Sequence, residues 1–136
     1  MALRLFYIVF GLLSVANGIY MLYRPDHWFY NIPAAVPDTG DFNAHFVRDI
    51  GLAYLISGVG FLWSSVYIAK CRIVHLGNTL FVTGHAMLHI MDIVVGRLPM
   101  DHLIHDAPGV LLPGLIMVVL CVPAVWSRVN PLDLSY

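Results

Sequence analysis

His85, His89 and Asp92 stand at i, i+4 and i+7 within one apolar stretch of the chain. On a helix of 3.6 residues per turn that spacing makes a single stripe, and Asn78, seven residues further back, falls on it too. Two imidazoles one turn apart can chelate one metal ion, and a facing histidine or carboxylate completes three or four ligands. His45 and Asp49, again one turn apart and flanking Arg48, supply such groups from an earlier segment. The predicted ligand set is therefore His85, His89, Asp92, His45 and Asp49. Arg48 is the expected charge partner, with Asn78, His102 and His105 in support. Imidazole with carboxylate suits copper, iron or zinc, whereas a calcium cage wants more oxygen ligands. Haem b competes, ligated axially by His85 or His89 facing His45 or a loop histidine. The chain has no glutamate, which argues against a carboxylate-bridged di-iron centre built on Glu-x-x-His. Cys71 and Cys121 form no CxxC pair and are expected towards the other end of the spans, away from the stripe.

The same residues admit two other readings. In one, Arg48 neutralises Asp92 or Asp49, the histidines bond to carbonyls, and the protein is a non-catalytic accessory or scaffold subunit. In the other, the His–Asp groups form a proton path or act as general acid and base on a lipid-soluble molecule. Nucleophilic catalysis finds no support, since Ser57, Ser64 and Ser65 lie at other depths and no Gly-x-Ser-x-Gly elbow exists. Whether the protein is an enzyme is left open by the sequence.

The elements that must position these groups follow from composition. Of 136 residues, 60% are hydrophobic and 11% charged, against roughly 25% charged in soluble domains, and the mean hydropathy is +0.80. So apolar a chain predicts lipid as its solvent, and excludes a disordered linker or a soluble enzyme. A net charge of −1 with scattered basic residues gives no field for nucleic acid. Four apolar runs, 5–22, 50–69, 73–95 and 110–126, are near the ~20 residues needed to cross a bilayer. The expected architecture is an all-α integral membrane four-helix bundle forming one domain over residues 1–136. The first run continues through Leu22 and reads as a span rather than a signal peptide. Pro113 and Pro123 predict a kink or frayed start in the fourth. Residues 23–43 hold turn formers and the aromatics Trp28, Phe29 and Tyr30, and are expected to lie on the membrane surface. Small residues at four-residue spacing (Ser14 and Gly18, Ala53 and Ser57, Gly60 and Ser64) predict close helix approach.

Four spans place both termini on one side. That side carries Arg4, Lys70, Arg72 and Arg128 against Arg24, Arg48 and Arg97 on the other, which favours cytoplasmic termini. With this topology all acids except Asp133, and all histidines except His75, are at mid-depth or in the outer half. An ionisable group inside a span costs at least ~2.5–3.5 kcal/mol on insertion scales, so the stripe is expected to face the bundle interior.

The segment Phe42-Asn43-Ala44-His45-Phe46-Val47-Arg48-Asp49-Ile50-Gly51-Leu52-Ala53-Tyr54 resembles one found in small bacterial four-helix membrane proteins. The general layout is similar to that of DoxX-type proteins. This resemblance implies a multi-pass protein of the bacterial inner membrane. It also implies a partner role beside redox enzymes, in a larger membrane complex or a homo-oligomer, and it transfers no catalytic residue.

Overall fold

The computed structural model describes residues 1–133. Its elements are α1 (Ala2–Tyr23), α2 (Pro25–Asn31), a 3-10 turn (Val36–Thr39), α3 (Ala44–Val66), a second 3-10 turn (Ile68–Lys70), α4 (Arg72–Val94), α5 (His102–Asp106), a π-helical turn (Ala107–Leu111), α6 (Leu112–Cys121) and α7 (Pro123–Val129). Among the described residues there is no strand. Three stretches are long and apolar enough to cross a membrane: Ala2–Tyr23, Ala44–Val66 and His102–Cys121, with mean hydropathies of 1.9, 1.3 and 1.9.

Helix α4 is outside that set because its polar residues lower its hydropathy, yet its 23 residues extend about 35 Å at 1.5 Å per residue. Its two faces differ sharply. Ile73, Leu80 and Val94 are about four-fifths exposed, while His75, Asn78, Ala86 and Ile93 are buried. The Asn78 side-chain amide donates to the Ser57 carbonyl at 3.1 Å, tying α4 to α3.

The tightest helix pair is α1 with α3, and glycines allow it. A Cβ added to Gly18 would lie 2.6 Å from the Gly51 carbonyl oxygen, and one on Gly58 would lie 2.8 Å from the Val15 nitrogen and 3.0 Å from the Gly11 carbonyl oxygen. Gly11 thus faces Gly58, and Gly18 faces Gly51, as an antiparallel ladder with seven residues between rungs on each helix. The small residues expected at four-residue spacing contribute Gly18 to this contact, but the ladder itself has a seven-residue period. Gly114 makes the corresponding approach of α6 to α4, where an added Cβ would sit 2.8 Å from Ala86 Cβ.

The start of α3 is fixed locally. The Asn43 side chain accepts from the backbone N–H groups of His45 and Phe46 at 3.0 and 3.3 Å, satisfying two donors that a helix start leaves orphaned. Arg48 donates from Nε to the Leu22 carbonyl at 3.3 Å, so it stabilises the C-terminal end of α1.

Residues 23–43 are more structured than a surface loop. Trp28 Nε1 donates to Asn17 Oδ1 at 2.8 Å, and Phe29 is buried beside Met21 and Val47. The fourth long helical stretch begins earlier and ends sooner than the apolar run 110–126 suggests. It starts at His102 and passes through the π-helical turn, where the Leu112 N–H reaches Ala107 five residues back. Pro113 lacks the N–H that would bond Gly109 and its ring crowds that carbonyl; widening the turn relieves both. The stretch stops at Cys121 because Val122, preceding Pro123, is extended (ψ 122°).

Candidate functional site

The polar stripe of α4 and the beginning of the last long helix face one another across a cavity of about 580 Å³. Its walls come from α1, α3, α4 and α6, and residues of the 23–43 connection, including Trp28, Phe29, Ile32 and Val36, close one side. Most of the lining is apolar. The polar exceptions include Ser14, Asn17, His85, His89, Asp92 and Asp106. Lipid-soluble ligands take sites of this kind: concave, apolar and fitted with a few convergent polar groups.

His85 and His89 are adjacent, with ring centroids 4.7 Å apart at 73°. The His85 ring also lies parallel to Phe81, at 6.3 Å and 16°, and edge-on to Tyr54 at 6.0 Å. Among the described residues it has no hydrogen-bond partner, although it is half-buried. His89 is differently placed. Its Nδ1 is 2.7 Å from Asp106 Oδ2, the geometry of an imidazole N–H donating to a carboxylate. Asp106 is buried, and its other oxygen, Oδ1, has no hydrogen-bond partner. A buried acceptor left unmade costs about 1–3 kcal/mol, but the whole Asp106 side chain is inaccessible, so the member of this pair that a ligand reaches is His89.

The other predicted site residues are not at this point. Asp92 lines the cavity but pairs with Arg97 at 3.0 Å. His45 and Asp49 pair with each other at 3.3 Å on an exposed part of α3. His102 is buried, 3.1 Å from Asp38 and 3.7 Å from Asp106, and His105 lies edge-on to it with ring centroids 5.8 Å apart. Among the described residues no three His, Cys, Asp or Glu side chains converge as ligands of one ion. The donor set therefore fits a multi-ligand metal centre poorly. What it offers is a pair of adjacent imidazoles, one of them backed by a carboxylate.

A second polar cluster, which residue spacing does not reveal, occupies the opposite end of the helices. His75 is fully buried, with Nδ1 3.0 Å from the Tyr7 hydroxyl and Nε2 3.6 Å from Cys121 Sγ. Trp126 lies against the His75 ring at 4.8 Å, and the Arg72 guanidinium covers Trp126 at 4.7 Å. Asn130 donates to the Ile68 carbonyl at 2.8 Å. Both cysteines are free, and burial pushes the Cys71 thiol pKa up. Because α1, α4, α6 and α7 all contribute, this cluster fastens one end of the fold while the cavity occupies the other.

Compared with protein-family models, curated proteins and solved structures, the chain finds no match. The site's own chemistry therefore carries the functional reading.

Proposed function

We propose that the protein is a four-helix integral membrane protein that binds a lipid-soluble molecule with a polar head in the cavity beside α4. In this reading α4 crosses the bilayer with the three more apolar stretches. Its exposed Ile73, Leu80 and Val94 meet lipid, and its histidines meet the ligand. The run of helices then alternates direction and leaves both termini on one side, with the cell membrane as location. The observation that carries the reading is the pairing of a large apolar cavity with two adjacent imidazoles at its wall, His85 without a hydrogen-bond partner among the described residues and His89 backed by Asp106. The apolar lining supplies affinity for the body of the ligand, at about 25 cal/mol per Å² removed from water or headgroups. His85 and His89 fix the orientation of its head.

A bound transition metal or haem remains a second proposal, favoured by one feature. His89 is backed by Asp106, as metal-binding histidines are commonly oriented by a carboxylate, and His85 is adjacent. Such a group would be held by His85 and His89.

Native mass spectrometry of protein extracted from its membrane in mild detergent tests the function directly. The wild-type chain should carry one equivalent of an apolar small molecule, and Ser14→Phe, which fills the cavity from α1, should carry none. Stoichiometric copper, iron or zinc, or a haem spectrum, lost in His85→Ala, would favour the second proposal instead. Bare chain in both wild type and Ser14→Phe overturns both.

A further inference from the structure

The polar wall of the cavity continues as a chain of titratable side chains that leads away from it. His89 lines the cavity and uses Nδ1 on Asp106 Oδ2 at 2.7 Å. That same oxygen is 3.7 Å from Nδ1 of His102, and Nε2 of His102 is 3.1 Å from Asp38 Oδ2. Asp106 and His102 are buried, whereas the Asp38 side chain is 54% exposed. Imidazole and carboxylate thus alternate from an apolar interior to the surface. Each internal member can take a proton on one atom and release one from another, imidazole through its two nitrogens and carboxyl through its oxygens.

We propose that His89, Asp106, His102 and Asp38 form a proton relay between the cavity and the aqueous surface. Its partner is an apolar molecule with a weakly acidic hydroxyl, of the phenol class. The proposal rests on the cavity being a ligand site. Outward, the ligand O–H gives its proton to His89 Nε2, the ring nitrogen not used by Asp106. The Nδ1 proton passes to Asp106 Oδ2, the carboxyl protonates His102 Nδ1, and the Nε2 proton passes through Asp38 to water. One proton enters and one leaves, the ligand becomes its phenolate, and no electron moves; the reverse sequence reprotonates it.

The step from Asp106 to His102 is the slow one. At 3.7 Å it exceeds hydrogen-bond reach, and His102 Nδ1 has no other partner. A shift of well under 1 Å closes it, within the range of side-chain motion. The neighbouring titratable groups are not hydrogen-bonded to His89, whose one side-chain partner among the described residues is Asp106. Among the described residues His85 faces the cavity but has no onward partner, Asp41 lines the cavity from an exposed position, Asp92 is held by Arg97 at 3.0 Å, and His105 is edge-on to the His102 ring without a hydrogen bond to it. A network that served stability alone would need only its hydrogen bonds, and that difference can be measured.

The experiment uses the full chain in lipid nanodiscs with 4-nitrophenol bearing an octyl chain as probe, because its phenolate absorbs visible light. Equilibrium titration first measures saturable binding, and a stopped-flow pH jump then follows protonation of the bound phenolate. Asp38→Asn and His102→Gln keep hydrogen-bonding capacity but cannot relay a proton, and neither residue lines the cavity. Both should bind the probe as wild type does. Protonation should slow by about 10²-fold in His102→Gln and several-fold in Asp38→Asn, which sits at the surface and leaves the interior untouched. Unchanged binding with unchanged rates in both variants overturns the relay and leaves the ligand site standing. No saturable binding in the wild type overturns the ligand site, and the relay with it.

Discussion

At the scale of single residues, the distinction that matters is between polar groups that are satisfied and those that are not. His75, fully buried, has a partner on each ring nitrogen, so it behaves as a structural group. His85, half-buried at the cavity wall, has no hydrogen-bond partner among the described residues, and a ligand gains by supplying the missing bond. Burial likewise separates Cys71 from reactive thiols. Cys71 is fully buried and its pKa is raised by that burial, so its folded-state thiol stays protonated at neutral pH, where the thiolate is the reactive form. Alkylation of Cys71 by N-ethylmaleimide should be slow in the folded protein at pH 7. Complete reaction should follow within minutes once dodecyl sulfate unfolds the chain. Rapid labelling of Cys71 in the folded state at pH 7 would contradict its placement.

At the scale of elements, the fold depends on backbone approach between α1 and α3. Gly18→Ala drives a Cβ to 2.6 Å from the Gly51 carbonyl and should destabilise the protein by about 1–3 kcal/mol, the usual range for overpacking. Gly84→Ala on α4 meets nothing within 4 Å and gains helix propensity, so it should be neutral or stabilising. Thermal unfolding in one detergent compares the two. The existence of the long helices is legible in the sequence because uninterrupted apolar runs have few other fates, and the α4 stripe is legible because helical spacing fixes which residues share a face. The ladder from Gly11 and Gly18 to Gly58 and Gly51 is not, since its period of seven does not stand out among glycines common in such helices. Helices α2 and α5 are hidden for another reason: five to seven residues show too little periodicity. The partners of His89 and His102 are hidden by distance along the chain. His89 finds Asp106 seventeen residues on, and His102 finds Asp38 sixty-four residues back. Only the folding of the 23–43 connection over the helix ends creates the second contact.

At the scale of the whole molecule, the chain is divided along its length. One end is closed by Tyr7, Phe61, Cys71, Met117 and Trp126, with His75 satisfied among them. The other end opens into the cavity, with His85, His89 and Asp106 on its wall. The sparse charges of this apolar protein are thus spent mainly at helix ends and around one cavity, and the helices otherwise turn apolar side chains outward. That division makes the central claim a claim about one site of one stoichiometry. Equilibrium binding of the octyl-substituted nitrophenol to the protein in nanodiscs, corrected for partition into empty nanodiscs, tests it most directly. One saturable site per chain is expected, weakened in His85→Ala and abolished in Ser14→Phe. Uptake that rises linearly with probe concentration, and is the same in wild type and both variants, would contradict it.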